Sequence, residues 1–197
     1  MFVKFGEREI EVDDKKRLED LTFEMQLKAN AEGKVLTKVK VGDEDLYIGS
    51  ESELWQKEVG KLSDVEFELK SPKEVVESAL HDADEYLDRL IPSVEHIALL
   101  YRVGEEKEAH ELLASLADGL WWLTYVIQGP RAILRMDGAR IIKICDELAT
   151  IVEKIEEAHT KRDWFALSDV LEYELAPHLR KWQTLIREII NEIKAKK

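Results

Sequence analysis

Hydrophobic positions change their spacing part-way along the 197-residue chain. Up to about residue 70 they tend to alternate with polar ones, the period of a half-buried strand. Phe2-Val3-Lys4-Phe5 and Glu9-Ile10-Glu11-Val12 flank Gly6-Glu7-Arg8 and predict a hairpin. Leu18, Leu21 and Met25 then share a helical face, with Asp13 or Asp14 expected as the cap and Gly33 as the stop. Val35, Thr37, Val39 and Val41 alternate with Leu36, Lys38 and Lys40 as a strand, and Gly42-Asp43-Glu44-Asp45 turns the chain into Leu46-Tyr47-Ile48. A short helical segment is expected around Leu54-Trp55, and Val65-Glu66-Phe67-Glu68-Leu69 reads as a last strand.

At Ser71-Pro72-Lys73-Glu74 the pattern becomes helical. Ser as N-cap, Pro at the first helical position and Glu three residues after the Ser form a capping box. Val76, Ala79, Ala83, Leu87 and Leu90 line one face up to Pro92, and Val94, Ile97, Ala98 and Tyr101 line the next, which ends at Val103-Gly104. A third helix is expected from about Glu105 to Gln128, stopping at Gly129-Pro130, and a fourth from about Arg131 to His159. The fifth starts at Asp163 and carries Pro177, which should kink it near Tyr173. The expected architecture is α+β: an N-terminal module over residues 1–70, then a four- to five-helix antiparallel bundle over 71–197. The order of elements in the first module resembles the β-grasp (ubiquitin-like) topology. Ubiquitin-like modifiers conjugate through a free C-terminal Gly-Gly; here the last strand runs on into Lys70-Ser71-Pro72, so conjugation is not expected.

Composition narrows the function. With 29 Lys+Arg against 42 Asp+Glu the net charge is −13, which repels phosphate and argues against nucleic acid as a partner. A 45% apolar content excludes disorder, and a single cysteine excludes a disulfide scaffold. That lone Cys145 fits a reducing cytoplasm. The N-terminus lacks the apolar stretch of a signal peptide, and Leu120 to Ile127, the longest apolar run, is too short to cross a bilayer, so no membrane association is expected. Scarce Asn and Gln beside abundant Lys and Glu is a composition found in heat-stable proteins.

No complete catalytic constellation is legible. Glu74…Glu77 and Asp169…Glu172 are similar to the acidic pairs with which all-α nucleotide pyrophosphohydrolases hold Mg²⁺, but acids at 42 of 197 positions produce such spacings without function. His81-Asp82 resembles the central dipeptide of the HD phosphohydrolases, yet no histidine precedes it, and at helical spacing it falls on a polar face. A di-iron bundle needs two Glu-x-x-His units, and only Glu156…His159 supplies one. No nucleophile elbow or phosphate-binding glycine loop is present, and Cys145 falls in the stripe with Ile141, Ile144 and Leu148. No metal or cofactor is therefore expected.

Three features stand out. Along the third helix, Leu120 to Ile127 is apolar all round, with Trp122 and Tyr125 on the polar side and Trp121 at the edge of the apolar arc; such a segment is either covered by neighbours or forms a partner surface. Arg131, Arg135, Arg140 and Lys143 follow Gly129-Pro130 near an expected helix N-terminus, and Asp137 falls in the apolar stripe, so the cluster is either a structural ion pair or an anion site. Glu174 and His178 lie one turn apart beside Leu171, Leu175 and Trp182, as a core-edge histidine or a weak acid–base pair. The balance favours a non-enzymatic cytoplasmic adaptor that binds a protein partner, or itself as a homodimer, through the aromatic face. The alternatives are a binder or enzyme for an anionic metabolite at Arg131/Arg135, and an export-chaperone-like protein, which this chain resembles in being small, acidic and helical.

Overall fold

In the computed structural model, which describes residues 1–136 and 138–195, the chain is α+β and divides into two units, Met1–Val75 and Val76–Lys197. The first holds β1 (Phe2–Phe5), β2 (Arg8–Glu11), α1 (Leu18–Ala31), β3 (Val35–Val41), β4 (Glu44–Leu46) and β5 (Val65–Lys70). These strands form one sheet in the order β2-β1-β5-β3-β4. β1 runs parallel to β5, and the other neighbours are antiparallel. Phe5, Leu18, Leu21, Met25, Val39 and Phe67 are buried together between α1 and the sheet.

Two local departures from the sequence pattern have physical causes. α1 starts at Leu18 with no side-chain cap, because the chain before it is held by the segment around residue 58. Leu18 N–H donates to Lys57 O and Val59 N–H to Lys16 O, while Asp13 turns back to accept from Lys15 N–H. In β3 a bulge lies between Leu36 and Lys38, so the inward positions shift from Leu36 to Val39 and Val41 and the simple alternation fails. Gly33 ends α1 as expected, with φ +68°.

The helical unit is built from α2 (Pro72–Val103), α3 (Glu106–Leu134), α4 (Ala139–Thr160), α5 (Trp164–Asp169) and α6 (Ala176–Ala195), with a π-helical turn, Val170–Leu175, joining the last two into one rod. Ser71 and Glu74 form the expected capping box, Glu74 N–H donating to Ser71 Oγ at 3.2 Å and Ser71 N–H to Glu74 Oε2 at 2.7 Å. Two expected breaks do not occur: α2 runs through Pro92 and α3 through Gly129-Pro130. The buried seam explains both. Val76, Leu80, Ala83, Leu87, Leu90, Val94, Ile97 and Tyr101 repeat at 4-3 spacing across Pro92, and Leu116, Leu120, Leu123, Ile127 and Pro130 do the same on α3. A continuous stripe buried along its whole length outweighs the single backbone hydrogen bond each proline removes.

At the place where Pro177 was expected to kink the helix lies the π turn. Pro177 has no N–H for the Tyr173 carbonyl, and the buried seam there runs Leu167, Leu171, Leu175, Leu179 at three successive intervals of four. Such a run is what one inserted residue produces, and the wider π turn absorbs it. Helix neighbours are antiparallel. α2 meets α6 through Asp84–Arg187 and Glu95–Arg180, and α4 meets the last rod through Lys154–Glu174 and Arg140–Glu188. α2 meets α3 through Tyr86–Trp122. No described helix is long and apolar enough to cross a membrane.

Candidate functional site

α3 and α4 leave an open apolar groove of about 390 Å³ between them. Leu116, Leu120 and Trp121 form one wall and Cys145, Leu148 and Val152 the other. The groove stays open because Ala117 and Ala149, at its mouth, are too small to close it; both are exposed. From Leu113 to Thr124 on α3, and from Cys145 to Glu156 on α4, the lining spans about 17 Å, three helical turns.

The aromatic residues of α3 divide across this groove differently from their order on the helix wheel. Trp121 forms the lip and stacks on Tyr125, ring centres 6.1 Å apart and planes 14° from parallel. Each is 73% exposed, so of the two outcomes open for Leu120 to Ile127 the segment is not covered by neighbours on every side. Trp122 turns the other way and packs edge-on against Tyr86 of α2, at 5.4 Å and 82°. It is half-buried in the α2–α3 contact, and Trp121 takes the surface role expected of it. Cys145 is half-buried in the groove wall; burial, reinforced by Asp146, pushes its thiol above the ordinary value and keeps it protonated.

The basic cluster takes a different form. Because α3 continues through Pro130, Arg131 lies in its last turn and Arg135 ends it in the left-handed conformation, φ 53°. Both are exposed at the end of a helix, where the dipole favours cations, the reverse of the expected N-terminal setting. Arg140 pairs with Glu188 at 3.0 Å and with Glu192, and Lys143 lies 4.0 Å from Glu147. Asp137 lies outside the described residues.

Glu174 does not orient His178. It pairs with Lys154 at 2.6 Å, whereas His178, 2% exposed, faces Ile144 O at 3.0 Å and Trp182 Nε1 at 2.9 Å through the same Nε2. One nitrogen cannot accept from the indole and donate to the carbonyl at once. The Trp182 N–H is in a fully buried side chain with no other acceptor among the described residues, while the Ile144 carbonyl sits inside α4 with a helical N–H to accept. The neutral tautomer with its proton on Nδ1, toward Glu147 Oε2 at 3.6 Å, therefore satisfies the most groups. Burial, the leading cause, lowers the histidine's pKa from its ordinary 6.5.

Other candidates disperse. His81 and Asp82 are exposed, and Asp169 and Glu172 both pair with Arg102. Among the described residues no three His, Cys, Asp or Glu side chains are grouped to hold a metal ion. Sequence reasoning missed the groove itself; its local signal was the small residues Ala117 and Ala149 flanking each apolar seam.

Comparison with known proteins bears on the helical unit alone. A family model described as a domain of unknown function, DUF8042, matches residues 78–185, a span that contains the whole groove. No curated protein and no solved structure matches the chain.

Proposed function

The chain belongs to the DUF8042 family, whose description assigns no activity, and from that starting point we propose that it is a non-enzymatic interaction module that docks a helix of a protein partner in the α3–α4 groove. One observation carries this reading: an apolar groove three turns long stands open beside two large, stacked, exposed aromatic side chains. Trp and Tyr are enriched at the centres of protein interfaces, and a groove between helices is the usual seat for an amphipathic helix. Holding a client helix there is also what an export-chaperone-like role would require. In the anionic-metabolite alternative Arg131 and Arg135 act from the end of α3, with the Arg131 side chain against Gly138 at the start of α4, and among the described residues no groove or aromatic pair adds to them there.

In the same reading the N-terminal unit is a β-grasp-like module. Support comes from the strand order β2-β1-β5-β3-β4, with the two terminal strands parallel at the centre and α1 across one face. A single cysteine, which can form no intramolecular disulfide, supports a cytoplasmic setting in this reading.

The two adjacent tryptophans provide the test. Trp121→Ser should leave unfolding free energy within about 0.5 kcal/mol of the parent, because the residue is exposed, and should release the partner. Trp122→Ser should lower stability by about 2 kcal/mol through loss of the Tyr86 contact and half-buried area. Affinity capture would compare the parent with Trp121→Ser and with Leu99→Ser, an exposed apolar change on α2. A protein retained by the parent and by Leu99→Ser but lost from Trp121→Ser is expected; retention by all three would overturn the assignment of the groove.

A further inference from the structure

We infer that the helix seated in the α3–α4 groove is cationic: an amphipathic segment of a different protein that lays apolar side chains at i, i+3, i+4 and i+7 into the groove and presents Lys or Arg along its flanks. This rests on the docking role proposed above and adds the chemistry of the partner.

The argument is charge placement along the span of the groove. Within residues 113–124 and 145–156 the only Lys or Arg is Lys154, and it is tied to Glu174 of the last rod. The same spans carry Asp118, Asp146, Glu147, Glu153 and Glu156. At about 100° per residue, Asp146, Glu153 and Glu156 fall on the same outward flank of α4 as Ala149, beside the groove mouth. Glu156 lines the groove directly. Asp118 occupies the equivalent outward flank of α3, next to Trp121. All four are exposed, and none of the four forms an ion pair among the described residues.

Where helices of this unit meet, the pattern is the opposite. Asp84, Asp88, Glu95, Asp169, Glu172, Glu188 and Glu192 each face an arginine of a neighbouring helix. Acids are thus neutralised where helices of this chain meet, whereas those beside the groove, like the exposed Asp82, Glu85 and Glu111, form no ion pair among the described residues, and beside the groove they border an apolar floor. Like charges at such a rim raise the local negative potential and are relieved by cations brought in by an occupant.

The same charges argue against a second copy of the chain as the occupant. A two-fold dimer through this face would set the patch against itself, bringing Asp118, Asp146, Glu153 and Glu156 toward their counterparts on a molecule of net charge −13. A cationic helix meets apolar floor and acidic rim together. Its Lys or Arg stems can cover the edges of the apolar floor while their charged ends reach the carboxylates.

The probe is a synthetic peptide of about sixteen residues, long enough to cover three turns, with Leu at i, i+3, i+4 and i+7 and Lys at the flanking positions; its counterpart carries Glu in place of Lys. Titration calorimetry with the full chain should show the Lys peptide binding at least tenfold more tightly than the Glu peptide, with the difference shrinking as salt rises. Saturating Lys peptide should also slow alkylation of Cys145, which lies in the groove wall. In Asp146→Lys/Glu153→Lys/Glu156→Lys the preference should reverse. Ala149→Trp, which fills the mouth from an exposed position, should abolish binding of both peptides, and Thr124→Trp serves the same purpose from the other wall.

Equal binding of the two peptides, lost in Ala149→Trp, would overturn the cationic partner and leave groove docking standing. Binding of neither peptide would overturn both readings. Lys-peptide binding that survives Ala149→Trp and leaves Cys145 alkylation unchanged would show attraction to the acidic surface at large, and would overturn the inference. A concentration-dependent dimer abolished by Ala149→Trp would assign the groove to a second copy of the chain instead.

Discussion

Gly119→Ala is expected to destabilise the helical unit by about 1–2 kcal/mol, although in an unconstrained helix the same change stabilises by about 1 kcal/mol. Gly119 is buried in α3 where it passes Tyr86 of α2. A Cβ there would overlap Tyr86 Oη and lie 3.0 Å from Cζ and 3.2 Å from Cε1. The ring cannot swing away cheaply, because it is packed edge-on against Trp122. Overpacking of a tight contact typically costs about 1–3 kcal/mol, enough to reverse the propensity gain. The check is denaturant unfolding in two backgrounds. With Tyr86→Ala already in place the obstruction is gone, and Gly119→Ala should become neutral or stabilising. Equal destabilisation in both backgrounds would show that the close approach of Tyr86 is not the cause.

His178→Leu is expected to cost about 1–3 kcal/mol at neutral pH, the penalty for leaving the buried Trp182 N–H without an acceptor. His178→Gln restores an acceptor and should recover part of that loss. The pH dependence separates this role from packing. Because burial lowers the folded-state pKa below the ordinary 6.5, the unfolded chain binds more protons in the window just beneath 6.5. The stabilising contribution of neutral His178 is therefore complete above 6.5 and is lost as pH falls from there toward the lowered value. Protonation would put a hydrogen on Nε2 and break the bond from Trp182. Unfolding free energies at about pH 7.5 and pH 5.5 should differ more for the parent than for His178→Leu or His178→Gln. An equal decline in all three would assign the pH effect to other groups.

Much of the fold is legible in local pattern, and particular residues show why. The switch from alternating to 4-3 spacing near Ser71 reports which face of each element is buried, since period 2 and period 3.5 expose different faces. Ser71 and Glu74 cap α2 because the four free N–H groups of a helix start need acceptors within reach along the chain. Pro177 locates the π turn because its missing N–H is a property of the residue itself. Breakers are ambiguous where burial competes with them: Pro92 and Gly129-Pro130 read as helix ends, yet both helices continue, because the buried stripe on either side is in register.

The site was less legible for the same reason. Trp121 and Trp122 are neighbours on one helix, and which of them is exposed depends on where α2 places Tyr86. Arg131 and Arg135 changed from a supposed helix start to a helix end when Pro130 failed to terminate α3. The Glu174…His178 spacing suggested a pair that Lys154 and Trp182, on other turns and another helix, divide between them.

By itself, then, the sequence determined element type, the buried seam of most elements, the capping of α2, the position of the π turn and the acidic character of the surface, all of which depend on residues within a few turns of one another. Tertiary structure alone decided that α3 and α4 stand apart far enough to leave a groove, that Trp121 forms its lip, and that the carboxylates beside it lack the arginines that neutralise their counterparts elsewhere. Those outcomes depend on distances between segments separated by tens of residues. They are set when the bundle closes around its whole core, and a local signal such as the small residues Ala117 and Ala149 does not by itself fix them.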